Sequence, residues 1–348
     1  MTQKLYAWRE IRNDFKQTLI LGNGASIAVD KCFSYTSLYD EASEMLLLNE
    51  QVQKLFKHYS TTDFEFVLRL VWRAHQINKL FGVEDKEVAA AYIDIRESLI
   101  KVVQRVHVSY AQAAEHLPSI AGFLHRFKTI VSLNYDLLVY WAMLYGNNVL
   151  GGTWFKDCFI NADRSFKDDY RFLSEPHGSM TGTTLVFYPH GNLVLATNFL
   201  GQETKICSDQ QADLLENIVR QWKIEDSTPL FVSEGSSDQK LRAIHRNGHL
   251  RTIYNDVLGR LPEKQAICVY GWSMSLHDHH LIEVIGKSKP AKLAISVFTG
   301  SSDWEKACEQ LQRRLDQAFG FKYCEVLFYD SQSDECWIKN RPLEKALR

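Results

Sequence analysis

Leu19-Ile-Leu-Gly22-Asn23-Gly24-Ala25-Ser26 is the stretch that decides the fold. A short apolar run, opened by Thr18, feeds directly into Gly-x-Gly-x-Ser. A continuous apolar run of this length reads as a strand buried on both faces, as in a parallel sheet. Glycines let the chain turn tightly and approach a ligand closely. A helix opening straight after them would aim free N–H groups at a phosphate. The string is not a P-loop, because no Gly-Lys-Ser/Thr follows. It is also a poor dinucleotide fingerprint. Ile27 holds the third glycine position, and the acidic residues near position 40 fall in a helical pattern rather than at a strand end. Taken alone, it is explained better by a structural turn.

The same grammar recurs along the chain. Strands are predicted at Thr18–Leu21, Thr129–Leu133, Thr184–Tyr188, Leu193–Ala196, Pro229–Val232, Ala266–Tyr270, Leu293–Phe298 and Cys324–Tyr329. Helical patterns at Leu137–Tyr145, Asp209–Ile224, Ser237–Asn247, Asp278–Gly286 and Asp303–Phe319 separate most of them. Alternation of this kind predicts an α/β fold with an open, mostly parallel, Rossmann-like sheet. From Tyr35 to Leu124 no strand is legible. Asp63–Phe81 and Asp85–Leu117 instead carry apolar residues at helical spacing. The expected organisation is one α/β domain from residues 1–34 and 125–348, interrupted by a helical insertion over 35–124.

Composition narrows the function. The chain has 348 residues, 45% hydrophobic and 24% charged, which is ordinary globular usage and excludes a disordered or fibrous protein. With 40 basic against 42 acidic residues and no dense Lys/Arg tract, nothing favours direct nucleic-acid binding. The apolar run Leu137–Tyr145 is too short to span a bilayer, and Met1–Glu10 lacks a signal-peptide core. The seven cysteines, Cys32, Cys158, Cys207, Cys268, Cys308, Cys324 and Cys336, are scattered without a Cys-x-x-Cys pair. That pattern fits reduced thiols in the cytoplasm and argues against a zinc module.

Several strand ends carry chemistry. Thr129–Leu133 delivers Asn134 and Asp136 to a carboxyl edge, where ligands sit in open α/β sheets. Asp136 is also placed to cap the following helix, whereas Asn134 has no such structural role. Leu185–Tyr188 leads to Pro189-His190-Gly191, and histidine is the usual base near neutral pH. His177, in a second Pro-His-Gly string, competes for that role but lacks a buried strand before it. Gly271-Trp272-Ser273-Met274-Ser275 and Gly300-Ser301-Ser302 repeat the strand–Gly–Ser pattern. Together the loops suggest a nucleotide laid across the sheet. His277-Asp-His-His280 is explained better by Asp278 as a helix N-cap than by a metal. Phe33 and Tyr35 suit either a roof over the nucleotide or the core.

In this order, Gly-x-Gly-x-Ser, Asn-x-Asp, His-Gly and Gly-x-Ser resemble the sirtuin-like NAD-binding fold, over about Thr18–Ser34 and Lys128–Asp330. A bacterial branch is similar in more detail: Gly-Asn-Gly-Ala-Ser, Asn-Tyr-Asp, Val232-Ser-Glu-Gly235 and Tyr270-Gly-Trp-Ser273. The resemblance implies NAD-degrading activity of the kind used in antiphage defence by abortive infection, in an oligomer, sometimes with a HerA-type ATPase as partner. It assigns the first nucleotide loop to Gly22, Asn23, Gly24 and Ser26, and the second to Gly271 and Ser273. Asn134 would order the reacting ribose and the attacking water, Asp136 would hold the nicotinamide carboxamide, and His190 would act as base or ribose contact. The chain departs from deacetylating sirtuins. It lacks their four-cysteine zinc module, and the helical insertion stands where their small domain would be. Protein deacetylation is therefore disfavoured, leaving NAD+ hydrolysis with no metal required. The alternatives are ADP-ribosyl transfer and a non-catalytic NAD- or ADP-ribose-binding module that assembles with a partner.

Overall fold

Thr18–Leu21, strand β2, is fully buried at the centre of a parallel sheet in the computed structural model. The structure describes residues 4–159, 165–167, 169–178, 180–198, 202–207, 214–224, 227–232, 235–300, 303–319 and 324–346. Eight strands make the main sheet. They are β1 (Leu5–Tyr6), β2, β3 (Thr129–Ser132), β4 (Phe155–Lys156), β5 (Thr184–Phe187), β9 (Ala266–Tyr270), β10 (Lys292–Val297) and β11 (Glu325–Asp330). Their order is β1-β11-β10-β9-β2-β3-β5-β4, and every pairing is parallel. Leu21 pairs with Ser132 on one side and Tyr270 on the other. The three loops that follow these strands therefore leave side by side. The chain runs from β2 to β3 on one flank and later builds β9 on the opposite flank. Such a switch opens a crevice beyond the carboxyl ends of the strands.

The fold class is the one predicted, with three differences. Leu193–Ala196 and Pro229–Val232 fall in a separate antiparallel sheet made of β6 (Gly191–Asn198), β7 (Glu203–Lys205) and β8 (Ser227–Phe231), in the order β7-β6-β8. β6 is buried along its first six residues, so its sequence shows no alternation that would mark it as antiparallel. The two-residue strands β1 and β4, and the polar β7, are too short or too hydrophilic to stand out. Finally, Asp85–Leu117 is not one helix but Lys86–Val106 and Tyr110–Ala114, followed by Leu117–Leu124. His107 is extended at the break. Ser109 then caps the next helix, accepting from the Gln112 N–H while the Gln112 side chain returns to the Ser109 N–H.

Between β2 and β3 the structure is wholly helical: Leu38–Glu44, Glu50–His58, Phe64–Phe81 and Lys86–Val106 precede the two short helices already named. Asp63 caps the third of these through a 3.0 Å bond from the Phe66 N–H. The insertion does not carry a core of its own. Val67, Leu99 and Val103 belong to the same buried cluster as Leu19, Ile20 and Val131 of the sheet. Of the remaining predicted helices, Leu138–Leu150, Ser237–Arg246, His279–Gly286 and Trp304–Phe319 are present. Leu214–Ile224 is helical as well, and the predicted stretch 209–213 before it lies outside the described residues. Among the described residues no helix is long and apolar enough to cross a membrane.

Candidate functional site

Beyond the carboxyl ends of β2, β3 and β9 lies a cavity of about 460 Å³. Every site residue predicted from sequence except Ser26 lines it: Gly22, Asn23, Gly24, Asn134, Asp136, His190, Gly271 and Ser273. Ser26 sits directly beneath, joined to two of them. His177 is exposed in a loop away from the cavity, so the structure separates the two candidate histidines. Of the aromatic pair, Phe33 is core, edge-on to His107, while Tyr35 lines the cavity and its hydroxyl meets that of Tyr135. Ser233 and Glu234 of the Val232–Gly235 string, and Ser301 and Ser302 of the last loop, lie outside the described residues.

The glycines serve a purpose that the sequence does not reveal. The Gly22 N–H donates to the Tyr270 carbonyl at 3.0 Å and the Gly24 N–H to the Gly271 carbonyl at 2.7 Å. A Cβ on Gly22 would lie 2.6 Å from the Trp272 Cα, and one on Gly271, whose φ is +68°, would lie 2.2 Å from the Ala25 nitrogen. The two loops are packed backbone against backbone, which is what requires glycine here. The expected row of free N–H groups is therefore absent at this turn. Gly24, Ala25, Ser26 and Ile27 already donate to Gly271, Gly22 and Asn23, and the helix they open, Gly24–Ile27, is a single turn.

Asn134 and Asp136 form the floor with Ser26. The Asn134 amide donates to the Gly22 carbonyl at 3.0 Å and to Ser26 Oγ at 2.9 Å, and Ser26 Oγ donates to Asp136 Oδ2. Both amide hydrogens are thus spent, and the carbonyl oxygen is the atom Asn134 has left to offer. Asp136 Oδ1 accepts from the Leu138 N–H at 2.9 Å, so the carboxylate binds the first N–H of the helix from one position before its N-cap, Leu137, rather than from the cap itself. Its backbone carbonyl is held by the Asn192 amide at 2.7 Å. Burial raises the Asp136 pKa, opposed by nearby His107 and by the Ser26 hydrogen bond. His107 itself is locked, with Nδ1 bound to the Val108 carbonyl at 2.7 Å and Nε2 accepting from the Leu137 N–H at 2.9 Å.

The wall beside His190 joins Lys240, from a segment with no motif, to Trp272 and Asp278 of the Gly271–Ser275 and His277–His280 strings. Lys240, from the helix Ser237–Arg246, reaches Asp278 Oδ1 at 2.9 Å, and Trp272 Nε1 donates to Asp278 Oδ2 at 3.0 Å. Asp278 therefore does not cap its helix through its side chain, as the sequence reading expected; its carboxylate is engaged by Lys240 and Trp272. Burial works against its charge, but neighbouring His190 and Lys240, with the hydrogen bonds from Lys240 and Trp272, prevail and hold its pKa down at about 2. His190 is 4% exposed and its Nε2 lies 3.3 Å from Nε2 of buried His280. Burial, with Lys240 adding to it, pushes the His190 pKa down to about 3. His190 is therefore a neutral imidazole near pH 7. His277 is exposed and His280 buried, so the His277-Asp-His-His280 string does not converge on one point. Among the described residues no group of three or more His, Cys, Asp or Glu is placed to hold a metal ion.

The sequence missed Lys240, His280, Ser237 and His107 as contributors to this region. The Ser109–Gln112 capping box was the one local signal for the helix break that exposes His107 to the Asp136 turn. A second hollow, of about 610 Å³, adjoins the first, sharing Gly24, Gly271, Trp272 and Ser273 and continuing past Lys31, Ser296 and Lys339. The cavity thus lies at the switch point of a Rossmann-like sheet, the place where ligands bind in open α/β folds. The chain belongs to the family described as "Domain of unknown function (DUF4917)", whose model matches residues 19–337. No curated protein matches it.

Proposed function

We propose that the protein is an NAD+ glycohydrolase. The observation that carries this reading is the convergence of Asn134, Asp136 and His190 with both glycine loops around one cavity. The adjoining hollows suit the two halves of a dinucleotide, with Lys31 at the second hollow for its diphosphate and Lys240 and Lys339, which also bond Asp278 and the Gln332 carbonyl, adding positive charge. Nicotinamide leaves readily because its ring nitrogen is cationic, and the transition state is oxocarbenium-like, as in glycoside hydrolysis. The C1′–N bond breaks with its electrons passing to nicotinamide. A water oxygen bonds to C1′, and its proton passes through His190 to solvent. In this scheme the Asn134 carbonyl oxygen orients the ribose or the water, and Asp136 faces the carboxamide. Positioning and fixed dipoles supply the rate enhancement.

We further propose a cytoplasmic homo-oligomer acting by NAD depletion in antiphage defence, with a HerA-type ATPase as a candidate partner. One observation favours a second reading, a non-catalytic sensor of NAD or ADP-ribose. The polar atoms of the floor and of His190 are largely paired within the protein. Incubating purified protein with NAD+ and quantifying nicotinamide, free ADP-ribose and protein-bound ADP-ribose separates these readings. Equal nicotinamide and free ADP-ribose supports hydrolysis. Protein-bound ADP-ribose indicates transfer, and binding without nicotinamide release indicates the sensor.

A further inference from the structure

His190 and His280 face each other through Nε2 atoms 3.3 Å apart, and only one of those nitrogens can carry the proton between them. The neighbours decide which. Nε2 of His190 faces His280, so a proton on His190 that points away from the pair sits on Nδ1, and the Leu133 backbone beside the ring favours a protonated nitrogen there. Nε2 of neutral His190 is then a lone pair, so the shared hydrogen sits on His280. Ser237 agrees. Its Oγ accepts from the His280 backbone N–H at 2.9 Å and lies 3.0 Å from His280 Nδ1, to which its own hydrogen can donate. A His280 ring that accepts at Nδ1 carries its proton at Nε2. The relay runs from Ser237 Oγ–H to His280, from His280 Nε2–H to His190, and from His190 Nδ1–H to Leu133.

This order has a consequence for chemistry at His190. Both of its ring nitrogens are occupied, although it lines the cavity. We propose that His280 is a positioning residue for His190: its Nε2–H fills the one lone pair through which His190 can accept a proton, so a substrate hydroxyl engages His190 only by displacing it. The charged groups around the pair are few and named. Lys240 and Asp278 face His190, and His280 is flanked by the same two, by His279 and by Asp238. The Tyr254 ring stacks over His280 and its hydroxyl donates to the His280 carbonyl at 2.9 Å, fixing the backbone that carries the ring. The inference rests on the NAD+ hydrolase reading for its kinetic consequence but not for its proton order.

The test uses the full chain with NAD+ and two measurements. His280→Leu removes the donor, whereas His280→Gln keeps an N–H at the same place. Loss of one neutral hydrogen bond predicts a rise of about three- to tenfold in kcat/KM for His280→Leu, with His280→Gln near wild type. The donor also stabilises neutral His190. Its removal therefore raises the His190 titration midpoint, read by nitrogen NMR in the ligand-free protein, and moves the acid limb of the pH profile upward. Ser237→Ala, which frees the His280 tautomer, moves both in the same direction by less. In a folded His280→Leu protein, an unmoved His190 midpoint overturns the proposal. In an active enzyme, an unchanged or lower kcat/KM also overturns it. If even the wild type releases no nicotinamide, the hydrolase reading falls, and the His190 midpoint of His280→Leu read against that of His280→Gln, which loses the charge of His280 but keeps an N–H, decides the proton order.

Discussion

Asn134 was legible as a functional candidate because nothing in its local sequence requires an amide at a strand end. Its spatial role was not legible, because its partners Gly22 and Ser26 lie more than a hundred positions away. Having those bonds, Asn134→Ala removes donors from two buried acceptors and lowers stability by roughly 1–2 kcal/mol. In the proposed mechanism it also lowers NAD+ turnover about a hundredfold or more, and His190→Ala does the same. His177→Ala, at an exposed loop position, leaves turnover within about twofold, since a surface side chain that touches no ligand contributes little. Nicotinamide release by the three variants, with circular dichroism to confirm folding, checks this order. A dead His177→Ala beside an active His190→Ala reverses the assignment. Lys240 and Asp278 illustrate the opposite limit. Each has a bland local explanation, on a helix face or at a helix start, and only the fold brings them together at 2.9 Å.

At the scale of elements, β2, β3, β9 and β10 were readable because central parallel strands are apolar on both faces and end abruptly in glycine or polar residues. The antiparallel sheet was not, because its buried β6 looks like a central strand and β7 is only three residues long. The glycine loops were legible as close approaches, but their packing against each other was not, since the sequence cannot say whether a glycine faces a ligand or another loop. That distinction predicts a contrast. Gly271 and Gly82 both have positive φ, but a Cβ at Gly271 strikes the Ala25 nitrogen, while one at Gly82 meets nothing within 4 Å. Gly82→Ala costs about 1 kcal/mol from backbone conformation alone. Gly271→Ala adds a clash between two backbones and is expected to cost at least about 3 kcal/mol, or to prevent folding. Urea unfolding of the two variants measures the gap, and equal costs would show that the loops are not in contact.

Across the whole molecule, buried histidines set the response to acid. Burial pushes His190 and His249 down to about 3 and His280 to about 4. The unfolded chain, with histidines near roughly 6.5, binds protons first as the pH falls. Their contribution to stability is complete above that value and is lost progressively toward pH 4. Glu65 acts in the other direction. Burial raises it to about 8, so the stability it lends is lost as pH rises toward that value. His107 and His125 are lowered too, and Asp63 and Asp136 are raised like Glu65, so five histidines against three carboxyls predict a lower thermal midpoint at pH 5 than at pH 7. The His249 ring is edge-on to Phe159 and Phe166, and among the described residues neither of its nitrogens has a partner. His249→Phe therefore flattens the pH dependence, and a slope identical to wild type would contradict this account.

The central claim joins the sheet, the two glycine loops and three polar side chains into one reaction at one cavity. Its most direct test is nicotinamide release from NAD+ by the intact protein, followed chromatographically beside Asn134→Ala under identical conditions. The account predicts release with an equal amount of ADP-ribose from the wild type and about a hundredfold less from the folded variant. Release by both proteins at the same rate, or by neither, whether alone or in its assembled form, would contradict it.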